Sequence, residues 1–278
     1  GAPGLAKTKA IKTLADGITG DFHRVQFTPD LLPSDITGSD IYRPEDGSFQ
    51  FQPGPIFHNL VLADEINRAP AKVQSALLEA MAERQISVGR STYPLPRLFL
   101  VMATQNPIEQ EGTYPLPEAQ MDRFLMHVNV DYPEAEAERQ ILRLARNEAL
   151  NEPVAAVDKV TEETLLEARK EVLSVHMAEP VEEYIVQLIL ATRNPTDYCE
   201  KLGSWLDFGA SPRATISLDR CARACAWLKG HDYVSPDDVR SVIHDVLRHR
   251  LILSFEAEAS GITPDRAIDT LISNVPSA

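Results

Sequence analysis

The first eight residues constrain the fold of this chain more than any other stretch. They are Gly1, Ala2, Pro3, Gly4, Leu5, Ala6, Lys7 and Thr8. They fit the phosphate-binding loop pattern G-x-x-x-x-[G/A]-K-[S/T], with alanine where the strict pattern has glycine. In such a loop backbone N–H groups turn towards phosphates, the lysine reaches the outer phosphates and the hydroxyl binds Mg²⁺. Residues 9–15 then predict a helix whose N-terminus faces the anion. A plain turn before a lysine-rich helix is the alternative.

A phosphate-binding loop normally follows a buried strand at the centre of a parallel sheet. No residue precedes Gly1 in this sequence. We therefore expect the first strand to be missing from this chain and the natural protein to begin some tens of residues earlier.

Strand and helix patterns alternate after the loop. Alternating or short apolar runs predict strands at residues 22–27, 59–63, 98–103 and 125–128. Helical spacing of apolar residues predicts a helix over residues 70–84. Two hairpins are predicted, one turning at Asp46-Gly47 and one near Gly89. This alternation is typical of a parallel sheet covered by helices.

The character of the chain changes near Pro133. Five helical patterns follow, at residues 134–150, 161–175, 181–192, 215–229 and 235–251. The sequence shows no convincing strand pattern in this half. We therefore predict an α/β domain over residues 1–133 and an all-helical domain over residues 134–278.

Composition narrows the class of partner. The net charge of −14 repels phosphate backbones, so nucleic acid is not an expected partner. The nearest basic stretch, Arg248-His249-Arg250, is short. No apolar run approaches the roughly 20 residues that a membrane span needs, so membrane insertion is not expected either.

The three cysteines, Cys199, Cys221 and Cys225, fit a reducing compartment. Cys221 and Cys225 lie four residues apart on a predicted helix, where small core residues are the plain interpretation. The seven histidines form no HExxH pattern, and no G-x-S-x-G sequence occurs. The common zinc-peptidase and serine-hydrolase patterns are therefore absent from the sequence.

Asp64 and Glu65 follow the second apolar run. At the end of a buried strand behind a phosphate-binding loop, an aspartate holds Mg²⁺ through its water shell. The neighbouring glutamate orients or deprotonates the attacking water. A solvated acidic pair is the alternative that the pair alone leaves open.

Asn106 and Arg123 are two further candidates. Asn106 follows the next apolar strand, where an amide can contact a γ-phosphate or the attacking water. The alternative is a structural asparagine in a turn before Pro107, which is the commoner role of an Asn-Pro pair. Arg123 fits either a structural ion pair or an arginine finger that reaches the nucleotide of a neighbouring subunit. Spacing alone does not choose between these two roles for Arg123.

Arg213 is singled out by local electrostatics. Ser211 and Pro212 predict a helix start, with serine as N-cap and proline at the first position. A cation in the first turn opposes the helix dipole, so an anionic partner is expected, and a γ-phosphate would supply one. Ser235-Pro236 gives the contrast, because acids follow it in the first turn.

Together these parts resemble the MoxR family of AAA+ ATPases over nearly the whole chain. The strings that carry the resemblance are residues 24–38 (RVQFTPDLLPSDITG), 62–69 (LADEINRA), 103–107 (ATQNP), 116–124 (LPEAQMDRF), 191–193 (ATR) and 209–214 (GASPRA). Several long strings agree in order, so the resemblance is specific.

The resemblance implies a role for each candidate. Lys7 and Thr8 belong to Walker A, Asp64 and Glu65 to Walker B, Asn106 to sensor 1, Arg123 to the arginine finger and Arg213 to sensor 2. The helical domain corresponds to a lid that carries sensor 2. The two hairpins correspond to family insertions, whose Phe49 and Phe51 either contact clients or cap the core.

The resemblance also implies cofactors and partners. These are ATP and Mg²⁺, a ring of identical subunits, expected to be a hexamer, and a von Willebrand factor A-domain protein together with a client. Family members are cytoplasmic proteins of bacteria or archaea that resemble chaperones and mature metalloenzymes or assemble complexes. Nothing in the sequence names the client.

Two functional hypotheses follow. The first is an ATP-hydrolysing remodelling machine, and the second is an ATP-dependent binding switch or assembly scaffold with little turnover. Glu65 and Arg123 favour the first hypothesis. A DNA-translocating relative is disfavoured by the net charge of −14.

Overall fold

The computed structural model describes residue 5 and residues 7–106, 112–150 and 158–277. The strands are β1 (Phe22–Gln26), β2 (Gly38–Arg43), β3 (Ser48–Pro53), β4 (Leu60–Asp64), β5 (Gln85–Val88), β6 (Ser91–Pro94), β7 (Leu100–Ala103), β8 (Leu206–Phe208) and β9 (Ile252–Leu253). The helices of the first half are α1 (Lys7–Asp16), α2 (Pro33–Thr37), α3 (Ala71–Glu83), α4 (Glu118–Met121) and α5 (Ala135–Ala149). Those of the second half are α6 (Glu162–Ser174), α7 (Glu179–Arg193), α8 (Glu200–Trp205), α9 (Pro212–Leu228), α10 (Pro236–Leu247), α11 (Phe255–Ala259) and α12 (Pro264–Asn274).

The chain forms two compact units. The first comprises residues 1–115 and 129–165, and the second comprises residues 116–128 and 166–278. The helical unit thus includes a segment that precedes Pro133 in the chain. A division into two domains at Pro133 stays a prediction.

A parallel sheet forms the centre of the first unit. Its strand order is β1-β4-β7, and Gln26 lies opposite Asp64 while Ala63 lies opposite Ala103. All five residues of β4 are buried, as the apolar run predicted for a central strand. The carboxyl ends of parallel strands meet at one edge of a sheet, so the polar residues that end each strand are brought together there.

Both predicted hairpins are confirmed. In the first, β2 pairs with β3, Gly47 has a φ of +70°, and Asp46 accepts a hydrogen bond from the Ser48 N–H. In the second, β5 pairs with β6, and Gly89 has a φ of +59°. Asp and Gly are the residues that such turns favour.

The first hairpin is exposed along most of both strands. Phe51 stacks on Tyr93 of the second hairpin with ring centroids 3.9 Å apart, which supports the view that Phe51 caps the core. Phe49 is 69% exposed, and Tyr42 is its aromatic neighbour at 5.3 Å. The two phenylalanines therefore differ in their surroundings, although they are two residues apart on one strand.

The second unit is helical, as predicted, with one correction. Helix α9 packs against α10 and α7, and α12 packs against α10. The expectation that this half holds no strand is wrong, because β8 and β9 pair antiparallel, with Leu206 opposite Leu253. These strands are three and two residues long, too short to produce a periodic pattern.

The strand predicted at residues 125–128 is also wrong. These residues form no regular element, because their backbone groups bind the end of α10 and the turn after it. The His127 N–H donates to the Asp245 carbonyl at 2.7 Å, and the Leu125 carbonyl accepts from Arg250. With those groups engaged, the segment does not pair with another strand.

The first turn of α10 yields a stability prediction. Asp238 is buried and accepts hydrogen bonds from the Ser235 N–H at 2.9 Å, the Ser235 hydroxyl at 2.7 Å and Lys229 Nζ at 2.7 Å. Burial raises the pKa of Asp238, but the bonds from Lys229 and Ser235 outweigh it and lower the pKa to about 2. We expect Asp238→Ala to lower the free energy of unfolding by about 1 to 2 kcal/mol.

Comparing the unfolding of wild type and variant at several pH values checks this prediction. Since the folded pKa is depressed, the stabilising contribution is complete above the unfolded pKa of 3.8 and is lost as the pH falls through about 2. The difference in Tm should therefore be constant above pH 4 and narrow below it. Asp237→Ala is the matched control in the same turn, because that carboxylate is 85% exposed. An equal loss in both variants would contradict the assignment.

Candidate functional site

The carboxylate of Asp64 lies where four segments of the first unit meet. Its Oδ2 accepts hydrogen bonds from the Thr8 hydroxyl at 3.2 Å and from the Arg24 Nε and Nη2 atoms at 2.9 and 2.6 Å. Its Oδ1 accepts from the hydroxyl of Thr104, directly after β7. The predicted proximity of Thr8 and Asp64 is therefore present in the structure, and their role with a metal stays a prediction.

These neighbours keep Asp64 ionised. Burial raises the pKa of its carboxyl, but the hydrogen bond from Thr104 and the hydrogen bonds and charge of Arg24 outweigh it, so the pKa lies below its usual value. An anionic oxygen pair at a sheet edge is a suitable acceptor for Mg²⁺-bound water.

Glu65 adopts a backbone conformation that is rare for its residue type. Its φ and ψ are +57° and +50°, in the left-handed region. The Thr104 hydroxyl accepts the Glu65 N–H at 2.9 Å, which helps to hold this turn. The chain leaves β4 sharply here, so the side chains of Asp64 and Glu65 take different partners.

The Glu65 carboxylate is held by two side chains that no sequence motif singled out. Its Oε2 accepts hydrogen bonds from Gln26 Nε2 at 2.8 Å and Arg68 Nη1 at 3.0 Å. Gln26 and Arg24 lie two residues apart on β1, so they share one face of the strand beside β4. In the sequence, this contact was indicated only by two polar residues, Arg24 and Gln26, at alternate positions near the end of β1.

The predicted phosphate-binding loop is described only in part. Gly1, Ala2, Pro3, Gly4 and Ala6 lie outside the described residues, and Leu5 is half-buried. Helix α1 begins at Lys7, in agreement with the predicted helix. Lys7 Nζ donates to the Gln105 carbonyl at 3.1 Å, so this lysine reaches the end of β7 next to Asn106.

Asn106 is buried, 5% exposed, beyond the end of β7. Its carbonyl accepts a hydrogen bond from Asn67 Nδ2 at 3.4 Å, and Asn67 lies in the turn after Glu65. The structure thus brings the segment of Asn106 next to the Asp64–Glu65 segment. The role of Asn106 as sensor 1 stays a prediction.

Arg213 occupies the first turn of α9 in the second unit, as predicted. Ser211 is the N-cap, and its hydroxyl accepts the Arg213 N–H at 3.1 Å. The Arg213 side chain is 54% exposed, and its Nη1 lies 3.4 Å from Asp122 Oδ2. The expected anionic partner is therefore available within the chain, and the helix dipole alone does not require a phosphate at Arg213.

The start of α9 is fixed by the motifs that flank it. The Thr192 hydroxyl accepts the Ala210 N–H at 3.0 Å, and Arg193 Nε donates to the Ala210 carbonyl at 2.9 Å. A Cβ at Gly209 would lie 2.3 Å from the Thr192 carbonyl oxygen, so only glycine permits this approach. Residues 191–193 and residues 209–214 thus pack against each other.

Arg123 is exposed and follows α4 in the second unit. Its N–H donates to the Gln120 carbonyl at 3.1 Å, which continues the turn of α4. Lys7, Thr8, Asp64, Glu65 and Asn106 belong to the first unit, whereas Arg123 and Arg213 belong to the second. The roles of both arginines stay predictions.

The side-chain oxygens near Asp64 can be compared with the ligands that Mg²⁺ prefers. Among the described residues, no group of three or more His, Cys, Asp or Glu side chains is placed to hold a metal ion. Mg²⁺ usually takes one or two protein oxygens and completes its shell with water and phosphate oxygens. A hydroxyl and a carboxylate 3.2 Å apart, Thr8 and Asp64, fit that requirement.

Within the part of the chain that the structure describes, no helix is long and apolar enough to cross a membrane.

Comparison with known families gives two matches. Residues 1–126 match the model of the ATPase family associated with various cellular activities (AAA). Residues 205–271 match that of the AAA lid domain.

Individual relatives agree with these matches. The chain is 48% identical to Chaperone MoxR1 of Mycobacterium tuberculosis, over 99% of this chain and 72% of that protein. It is 34% identical to Protein MoxR of Paracoccus denitrificans, over 99% of this chain and 85% of that protein. A crystal structure of a Cytophaga hutchinsonii protein described as an ATPase superposes with a TM-score of 0.91 and 49% identity. That match covers 100% of this chain and 84% of the other.

Thr104 provides a test of the site's geometry. Its buried hydroxyl donates to Asp64 and accepts from the Glu65 N–H, so Thr104→Val leaves both partners without this bond at nearly unchanged volume. We expect a loss of about 2 kcal/mol in the free energy of unfolding, measured by denaturant titration. Thr104→Ser keeps the hydroxyl and should lose less. Equal losses in the two variants would mean that the methyl group, not the hydroxyl, stabilises the turn.

Proposed function

Because the chain belongs to the MoxR family of AAA+ ATPases, we propose that it hydrolyses ATP to ADP and phosphate and uses the resulting conformational change to remodel other proteins. The observation that carries the proposal is the grouping of Thr8, Asp64 and Glu65 at one edge of the parallel sheet. This edge is where doubly wound α/β folds bind their ligands.

The first unit would bind the nucleotide and position the attacking water. Residues 1–8 would surround the phosphates, and Lys7 would neutralise charge on the outer phosphates. Glu65 would orient the water and accept its proton, and Asn106 would contact the γ-phosphate or this water. Mg²⁺, held by Thr8 and Asp64, supplies positive charge to the phosphate oxygens when it is bound.

Two arginines of the second unit would complete the reaction. Arg213 would neutralise charge on the nucleotide of its own subunit, as sensor 2. Arg123 would reach the nucleotide of the neighbouring subunit, as the arginine finger. This division of labour requires a ring, and we propose a homohexamer.

We propose that the ring acts in the cytoplasm on a client protein, together with a von Willebrand factor A-domain partner, in the maturation of metalloenzymes or the assembly of complexes. The relative named Chaperone MoxR1 supports a protein client. Nucleic acid is not part of the proposal, since the net charge of −14 repels phosphate backbones. Membrane insertion is not part of it either, since the sequence has no apolar run of roughly 20 residues.

One observation favours the alternative of a binding switch with little turnover. Gln26 and Arg68 both donate to Oε2 of the Glu65 carboxylate, so this oxygen is engaged within the protein and is not available to a water molecule. Proton transfer to Oε2 would require these bonds to break when nucleotide binds. The two hypotheses differ in whether ATP is turned over or only bound.

Glu65→Gln separates the two hypotheses. The amide keeps the shape of the side chain but does not accept a proton, so ATP binding should persist while the hydrolysis rate falls by about 10²-fold or more. Steady-state phosphate release, with Kd for ATP measured in parallel, checks this expectation. A wild type that binds ATP without turnover would favour the switch, and unchanged turnover in the variant would remove Glu65 from its role.

Arg123→Ala tests the ring. An arginine finger contributes about 10³ to 10⁵ in rate, so the variant alone should be almost inactive while it still binds ATP. Mixing it with Glu65→Gln subunits should restore part of the activity, because an intact Glu65 site then meets an intact finger. Phosphate release across mixing ratios measures this effect. Absence of recovery at every ratio would count against action in trans.

A further inference from the structure

The basic triplet Arg248-His249-Arg250 faces the interior of the second unit. The side chains of Arg248 and Arg250 are 12% and 2% exposed, and His249 is 6% exposed. Each residue of the triplet contacts a backbone carbonyl of the segment 122–127. This is the most basic short stretch of the sequence, and it binds the chain's own backbone instead of forming a surface patch.

Arg250 has the most contacts with this segment. Its Nε donates to Asp122 Oδ1 at 2.8 Å, and its Nη2 donates to the Phe124 carbonyl at 2.6 Å and the Asp122 carbonyl at 3.3 Å. Its Nη1 donates to the Leu125 carbonyl at 3.3 Å. Arg250 therefore holds the backbone on both sides of Arg123, whose own side chain is exposed.

The same guanidinium is connected to helix α9. Arg250 Nη2 donates to the Ser217 hydroxyl at 3.2 Å. The second oxygen of Asp122 accepts from the Ser211 hydroxyl at 2.8 Å and lies 3.4 Å from Arg213 Nη1. The Asp122–Arg250 pair thus joins the segment that carries Arg123 to the first turn of the helix that carries Arg213.

Stability alone does not account for this pair. Burial lowers the pKa of Arg250, while Asp122 opposes that effect, so the charge is kept at the cost of desolvation. Apolar residues of similar volume often stabilise a core as well as a buried ion pair does. What an apolar side chain cannot do is bind three backbone carbonyls in one segment with a planar set of donors.

We propose that Arg250 is a positioning residue for ATP hydrolysis. By binding Asp122 and the carbonyls of residues 122, 124 and 125, it fixes Arg123 relative to Arg213. The arginine offered to the neighbouring subunit's nucleotide is thereby connected to the arginine that senses the subunit's own nucleotide. This inference rests on the proposed function, in which those two arginines act on different nucleotides.

A double-mutant cycle on the full-length protein tests the proposal. Arg250→Lys keeps the charge but loses the planar fork, and we expect kcat to fall by on the order of 10²-fold, as for a reacting group misplaced by about 1 Å. The KM for ATP should change little, because the phosphate-binding residues lie in the other unit. In an Arg123→Ala background the same change should alter kcat by less than about twofold, since no guanidinium remains to be positioned.

Arg223→Lys is the matched control. Arg223 is also partly buried in the second unit and also pairs with a carboxylate and a carbonyl, but these belong to Asp219 and Val175. The Arg223→Lys variant should have a lower Tm than the wild type but an unchanged kcat. If Arg250→Lys does not fold, Asp122→Asn tests the same connection and should likewise be non-additive with Arg123→Ala.

The outcomes separate the two proposals. Suppose that the wild type hydrolyses ATP and that this activity depends on Arg123. If the kcat losses of Arg250→Lys and Arg123→Ala then multiply in the double variant, the positioning role is overturned and the proposed function is not. A wild type that does not hydrolyse ATP would overturn the proposed function and the positioning role with it. Mixing Arg250→Lys with Glu65→Gln subunits should restore activity, which a merely misfolded subunit would not do.

Discussion

The first unit depends on one buried carboxylate. Asp64 accepts bonds from the start of α1, from β1 and from the residue after β7, while its own backbone belongs to the central strand. An ionised group in the interior is tolerated only when donors surround it. The donors around Asp64 are Thr8 at the start of α1, Arg24 within β1 and Thr104 directly after β7. The same requirement concentrates the polar residues of the unit at one edge of the sheet.

Apolar periodicity was sufficient to predict the strands of the central sheet and most of the long helices, but not every element. The buried run of β4 predicted a central parallel strand, and glycines with positive φ marked both hairpins. The failures have different causes. Residues 125–128 have an apolar pattern, but their backbone bonds to α10 and Arg250, a partner more than a hundred residues away. Helix α12 was missed although Thr263 and Pro264 repeat the cap signature of α9 and α10. For α12, the helix start could therefore have been predicted from the sequence.

Residue types at the site could be predicted, whereas their mutual contacts could not. Asp64 and Glu65 were identified because strand ends and acidic residues coincide. Their partners Arg24 and Gln26 depend on the register between β1 and β4, and a single sequence does not determine a register between distant strands. Arg213 shows the opposite limit. The prediction that the Arg213 guanidinium has an anionic partner is correct, but in the described structure this partner is Asp122 and not a phosphate.

The left-handed backbone of Glu65 places folding and chemistry in opposition at a single position. For a residue other than glycine, asparagine or aspartate, this conformation costs about 1 kcal/mol or more. Asparagine or glycine would fold more comfortably there. Such a replacement would relieve the backbone strain and give up the bonds that the Glu65 carboxylate accepts from Gln26 and Arg68. A carboxylate at position 65 is thus a feature that the backbone conformation alone does not favour.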